Sequence, residues 1–127
     1  MANKVEKFED LIAWQKARVL TKEVYAATRK GALHRDYGLS GQIQRAAVSI
    51  MSNVAEGFER GKRGEFHQFL SVAKGSCAET RSLLYVALDC DYIEQSDFDR
   101  MMSIAQEEAR ILGGLRAAVE KQRDTKH

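Results

Sequence analysis

Arg45, Ser49, Ser52, Asn53, Glu56 and Arg60 recur at three- and four-residue spacings, so a helix through this stretch gathers them along one line. A carboxylate, an amide and two hydroxyls so placed suit three chemistries: metal-assisted hydrolysis, contact with phosphates, or hydrogen bonding between packed helices. Di-metal sites in helical bundles use Glu-x-x-His pairs on two helices. The chain has none, and Glu65 and His67 are two residues apart, which turns them about 200° from each other on a helix. The scattered His34, His67 and His127 make no zinc set. Ser49, Ser52 and Ser76 lack an evident general base, and "RGKRG" lacks the phosphate-loop spacing. A hydrolytic metal held by Glu56, Glu65 and Glu79 is the remaining enzymatic reading, without a motif behind it. No cofactor is expected. Cys77 falls in an apolar stripe and reads as a small buried hydrophobe.

Internal packing accounts for the polar line better. Gly75 and Ser76 on the following helix are small enough for close backbone approach. Arg45, Asn53, Glu56, Ser76 and Glu79 are then expected to form a hydrogen-bonded network between helices, because a buried carboxylate without partners is costly.

The elements that position these residues follow from spacing. The 127 residues contain no proline, which favours long helices, and their length predicts one domain, residues 1–127. The first helix is expected over roughly 8–28, with Ala13, Ala17, Leu20, Val24 and Ala27 on its main apolar stripe. Phe8, Ile12, Val19 and Ala26 form a second stripe, and Leu11, Trp14 and Tyr25 a third. A helix apolar on several faces has more to bury than its own bundle covers, which points to a subunit interface. Gly31 and Gly38 mark a turn, and the second helix follows over roughly 39–60. The third, roughly 65–90, carries Phe66, Phe69, Leu70, Ala73, Cys77, Thr80, Leu84, Ala87 and Leu88 inward. The fourth, roughly 97–121, is expected to start at a Ser96 cap and to turn Met101, Ala105, Ala109, Leu112, Leu115 and Val119 inward. Short connections make this an all-α, up-down-up-down antiparallel four-helix bundle.

Net charge is only +2, but residues 1–64 carry +5 and residues 65–127 carry −3. Antiparallel packing brings both termini and the 60–64 turn to one end. Lys4, Lys7, Arg60, Lys62, Arg63, Lys121 and Arg123 gather there, as phosphate binding requires, together with Glu6, Glu9, Asp10, Glu59 and Glu65, so the end is basic-rich rather than purely basic. Arg29, Lys30 and Arg35 at the other end are second choice, because the acidic 89–99 region sits beside them. No window approaches a membrane span, no signal-like apolar run opens the chain, and Cys77 and Cys90 suggest no disulfide framework. A cytoplasmic protein is expected.

Three segments make the sequence recognisable: "WQKA", "YGLSGQIQRAAVSIMSNVAEGFER" and "EFHQFLSVAKGSCAET". They resemble the bacterial four-helix-bundle proteins whose genes were first noticed inside intervening sequences of 23S ribosomal RNA genes. The resemblance spans roughly Phe8 to Leu88, with S-I-x-S-N-x-A-E-G and a later G-S-x-x-E in order and register. It implies a cyclic homopentamer and nucleic-acid binding rather than catalysis. The family is also similar to the accessory protein of diversity-generating retroelements, a pentamer working with a reverse transcriptase and its RNA. Relatives often carry Pro where Met51 stands, so a more continuous second helix is expected here. A non-enzymatic oligomer contacting structured RNA or DNA through its basic end is the resulting expectation. The alternative is a scaffold for a protein partner without direct nucleic-acid contact.

Overall fold

The computed structural model describes residues 4–124, with side chains as far as Gln122. Among these residues there is no strand. Four long helices and one short one are formed: α1 (Ile12–Thr28), α2 (Gly31–Arg35), α3 (Tyr37–Glu59), α4 (Arg63–Asp89) and α5 (Gln95–Asp124).

The long helices stand in a square, in which α1 packs on α3, α3 on α4, α4 on α5, and α5 back on α1. Cross-contacts show that each neighbouring pair is antiparallel. Thr21 Oγ1 donates to the Ala47 carbonyl while Gln44 Nε2 donates to Thr28 Oγ1, so α1 and α3 run oppositely. Ser49 meets Ser76 while Gly57 meets Phe69 across α3 and α4. Cys77 meets the Ala105 carbonyl, Arg116 reaches Ser71, and His67 reaches Glu120 across α4 and α5. Lys16–Glu107 and Glu23–Arg100 ion pairs close α1 onto α5.

The expected stripes fill the centre. Ala13, Ala17, Leu20 and Val24 of α1 meet Ile43, Ala47, Ile50 and Val54 of α3; Leu70, Ala73, Cys77 and Leu84 of α4 and Met101, Ala105 and Leu112 of α5 complete one continuous core. The α3 helix runs unbroken through Met51.

The element ends differ from the sequence reading for local reasons. Phe8–Asp10 form a separate 3₁₀ turn, not the start of α1. Asp10 accepts the Glu6 and Lys7 backbone N–H groups at 3.0 and 3.2 Å, which holds this turn. These two bonds to the charged form keep the Asp10 carboxyl below its ordinary pKa, the Glu6 bond contributing most. Leu11 then adopts an extended conformation and is itself buried. The expected turn after α1 contains α2, which Gly31 permits with φ of 54° and buried Leu33 anchors. Asp36 caps α3 by accepting from the Leu39 N–H at 3.0 Å, which starts that helix at Tyr37 rather than Leu39. Helix α5 already begins at Gln95, so Ser96 lies inside its first turn and is not its cap.

Candidate nucleic-acid interface

The polar line on α3 divides along its length. Ser49 Oγ and Ser76 Oγ are 2.8 Å apart across the α3–α4 seam, and Asn53 Nδ2 donates to both the Ser49 carbonyl and the Ser49 hydroxyl. Asn53 and Ser76 of the expected network are therefore joined through Ser49. The other three members lie elsewhere: Arg45 and Glu79 are exposed, and Glu56 turns to Arg60 on its own helix at 3.0 Å. The close backbone approach is also displaced from Gly75, which is exposed with open space where a Cβ would stand. It occurs at Gly57, where an added Cβ would lie 2.6 Å from the Phe69 Cβ. The glycine of the A-E-G motif thus sets the spacing between α3 and α4.

The basic end is assembled from three parts of the chain. The segment before α1, the α3–α4 turn and the last turns of α5 meet there, and Val5, Lys62, Arg63 and Gln122 line one common cavity. Gly61, with φ of 72°, reverses the chain at this turn. Lys4, Lys7, Lys62, Arg63 and Lys121 are all exposed. The Arg123 side chain lies outside the described residues.

Arg60 is held differently from its neighbours. Its guanidinium pairs with Glu56 at 3.0 Å and Glu65 at 3.5 Å, and lies 5.1 Å from the Phe69 ring centroid. Two carboxylates already offset its charge, leaving less for a phosphate. Of the other acids near this turn, Glu120 approaches His67 at 3.1 Å, a charge pair only when that imidazole is protonated, and Glu59 is exposed. Lys62 and Arg63 are exposed and have no ion pair among the described residues, with exposed Glu59 the nearest acid in sequence that is likewise without one. At the opposite end Arg29, Lys30 and Arg35 are also exposed, but Lys30 shares a cavity with Glu23, Glu94 and Asp97. The acidic neighbourhood expected there is real.

A carboxylic acid that sequence reasoning did not place inside is the largest surprise of the core. Glu108 is 0% exposed, and neither of its oxygens has a hydrogen-bond partner among the described residues. Burial, reinforced by the neighbouring Glu107 charge, pushes its pKa up to about 9, so it is a neutral acid at pH 7. Burial and then the Glu108 charge raise the Cys77 thiol to about 11, which leaves it an inert core group as its stripe position suggested. A signal for Glu108 was present: it sits in phase with Met101, Ala105 and Leu112 on one face of α5.

Among the described residues no three His, Cys, Asp or Glu side chains cluster as a metal site, and no helix is long and apolar enough to cross a membrane. Glu56 and Glu65 share Arg60 instead of facing a metal with Glu79.

These features define an all-α antiparallel bundle with a basic end built around an apolar cavity. More narrowly, the chain belongs to the 23S rRNA-intervening sequence protein family, whose model matches residues 9–114. A crystal structure of a protein from the S23 ribosomal protein family of Bacteroides thetaiotaomicron, described as of unknown function, shares the fold. The two are 20% identical, with a TM-score of 0.76 over 84% of this chain and 96% of that one. No curated protein sequence matches the chain.

Proposed function

We propose that this protein is a non-enzymatic, cytoplasmic, homo-oligomeric bundle that binds structured RNA or DNA through the end where its termini meet the α3–α4 turn. The supporting observation is that Lys62 and Arg63 are exposed without an ion pair among the described residues, at the same end as exposed Lys4, Lys7 and Lys121, while Arg60 is engaged by Glu56 and Glu65. Such contacts give affinity through counterion release and carry little sequence preference. A ring of subunits, the pentamer that family resemblance implies, would present several copies of this end and add avidity. The outer face of α1 suits the subunit contact: Ile12 and Val19 are 60% and 47% exposed there, next to Val5 at 44%.

Binding of a labelled structured RNA and a matched DNA duplex across a salt series tests this reading. Affinity is expected to fall steeply between about 50 and 200 mM salt. The double variant Lys62→Gln/Arg63→Gln is expected to bind more weakly and with a shallower salt slope, whereas Arg60→Gln changes binding less. Absence of binding at low salt by an intact oligomer would sink the reading. It would favour a scaffold for a protein partner, to which the exposed Val72 and Val86, on one side of α4, lend apolar contacts.

A further inference from the structure

We propose that the cavity at the basic end receives one unpaired nucleobase, with an adjoining phosphate held by Lys62 and Arg63; this rests on the nucleic-acid reading above. The cavity has a volume of about 510 Å3, within the range of ordinary ligand pockets. Its walls are apolar, from Leu11, Phe58, Phe66 and Leu115, and its cations are Lys62 and Arg63. Phe58 and Phe66 are set edge-to-face, their centroids 5.9 Å apart, and both pack against the core, so the wall carries an aromatic pair. A base has an apolar face and carries a phosphate one sugar away, which is the same pairing of properties.

Charge distinguishes this cavity from others in the molecule. The neighbouring one, of about 580 Å3, shares Val5, Leu11 and Leu115 but adds Asp10 to its lining. The cavity at the opposite end is smaller, about 170 Å3, and its lining is of mixed sign, with Glu23, Glu94 and Asp97 beside Lys30 and Arg100. Among the described residues no carboxylate lines the basic-end cavity. The nearby acids Glu56 and Glu65 turn to Arg60, and Glu120 to His67, while exposed Glu59 is not part of the lining. Helix α4 begins at this mouth, and no side chain at its N-cap accepts a hydrogen bond from its first turn. Its positive end adds to the Lys62 and Arg63 charge where a phosphate would sit, against the one acid of its first turn, Glu65, which pairs with Arg60.

A duplex keeps its bases stacked and offers only the phosphates, whereas a loop or bulge can present a base to an aromatic surface. The expected consequence is selectivity for single-stranded elements within a structured RNA.

The experiment compares three fluorescein-labelled RNAs of equal length with the full chain at about 100 mM salt. They are a hairpin with an unpaired loop, a blunt duplex, and the same hairpin with abasic loop riboses. The hairpin is expected to bind roughly tenfold more tightly than the other two, within what stacking of one base supplies. Ala118→Leu fills the cavity from an exposed lining position, so the fold is preserved. It is expected to abolish the preference while leaving duplex binding intact. Equal affinity for all three RNAs overturns the inference and leaves the phosphate-contact reading standing. No binding to any of them overturns both. A preference that survives Ala118→Leu, or an oligomer that dissociates on that substitution, also overturns it; the latter would assign the cavity to a second copy of the chain.

Discussion

The Glu108 carboxyl faces Lys16 of α1 and Cys77 of α4 from within the core, and Lys16 itself pairs with Glu107 at 3.1 Å. In the unfolded chain Glu108 gives up its proton near the ordinary value of 4.5; in the folded chain it keeps it until about 9. Between these values the unfolded state binds fewer protons, so the Glu108 contribution is fully present below about 4.5 and declines as pH rises, by up to about 1.4 kcal/mol per unit. Glu108→Gln retains the shape without the titration. Its melting temperature is expected to exceed that of the parent at pH 8, with the two converging near pH 4; parallel curves across that range would refute the assignment. The seam formed by Ser49, Asn53 and Ser76 is a second residue-scale test. Asn53→Ala removes the amide donor shared by the Ser49 carbonyl and hydroxyl, leaving the Ser49–Ser76 contact, and is expected to cost about 1 kcal/mol in urea unfolding. Sequence spacing found Asn53 and Ser76 because both lie near the α3–α4 seam. It passed over Glu108 because a Glu-Glu pair on a charged helix reads as solvated, even where the helical phase says otherwise.

Two glycines give the helices opposite demands. At Gly57 a methyl group would collide with Phe69 and lie 3.1 Å from the Phe66 ring. Gly57→Ala is therefore expected to destabilise by roughly 1–3 kcal/mol as α3 and α4 are pushed apart. That outweighs the gain of about 1 kcal/mol in helix propensity. Gly75→Ala meets no neighbour and is expected to stabilise by roughly 0.5–1 kcal/mol. Denaturant midpoints that move in the same direction for both would contradict this packing. The four long helices were legible because each repeats its apolar residues every three or four positions over many turns. The short α2 was not: one buried leucine, Leu33, anchors five residues, too few for a period to show. The break at Leu11 was equally hidden, since the Asp10 turn that causes it depends on backbone bonds and leaves the apolar pattern intact.

Across the whole molecule, the apolar residues of α1 separate into those that its own bundle covers and those it does not. Ala13, Ala17, Leu20 and Val24 are enclosed; Ile12 and Val19 are left outward. Ile12→Glu/Val19→Glu is expected to lower the mass of the assembly in sedimentation while helical content is retained, and an unchanged mass would place the subunit contact elsewhere. The basic end was readable in the sequence as a gathering of charges. Which charges are spent was only half readable: the Glu56–Arg60 pair follows from its four-residue spacing, but the second carboxylate, Glu65, reaches Arg60 only through the way the α3–α4 turn folds back.

The square arrangement of helices also bears on how the chain finds its structure. Three of its four seams join consecutive long helices, and only the α1–α5 seam, held by Lys16–Glu107 and Glu23–Arg100, spans most of the chain. Local hairpins can form without paying for a large loop, so the search is short and collapse is expected within microseconds to milliseconds, roughly as for other helical bundles. The last seam to close carries its ion pairs on the surface. Swapping charges at Arg100 and Glu23 should therefore alter the rate of unfolding more than the rate of folding.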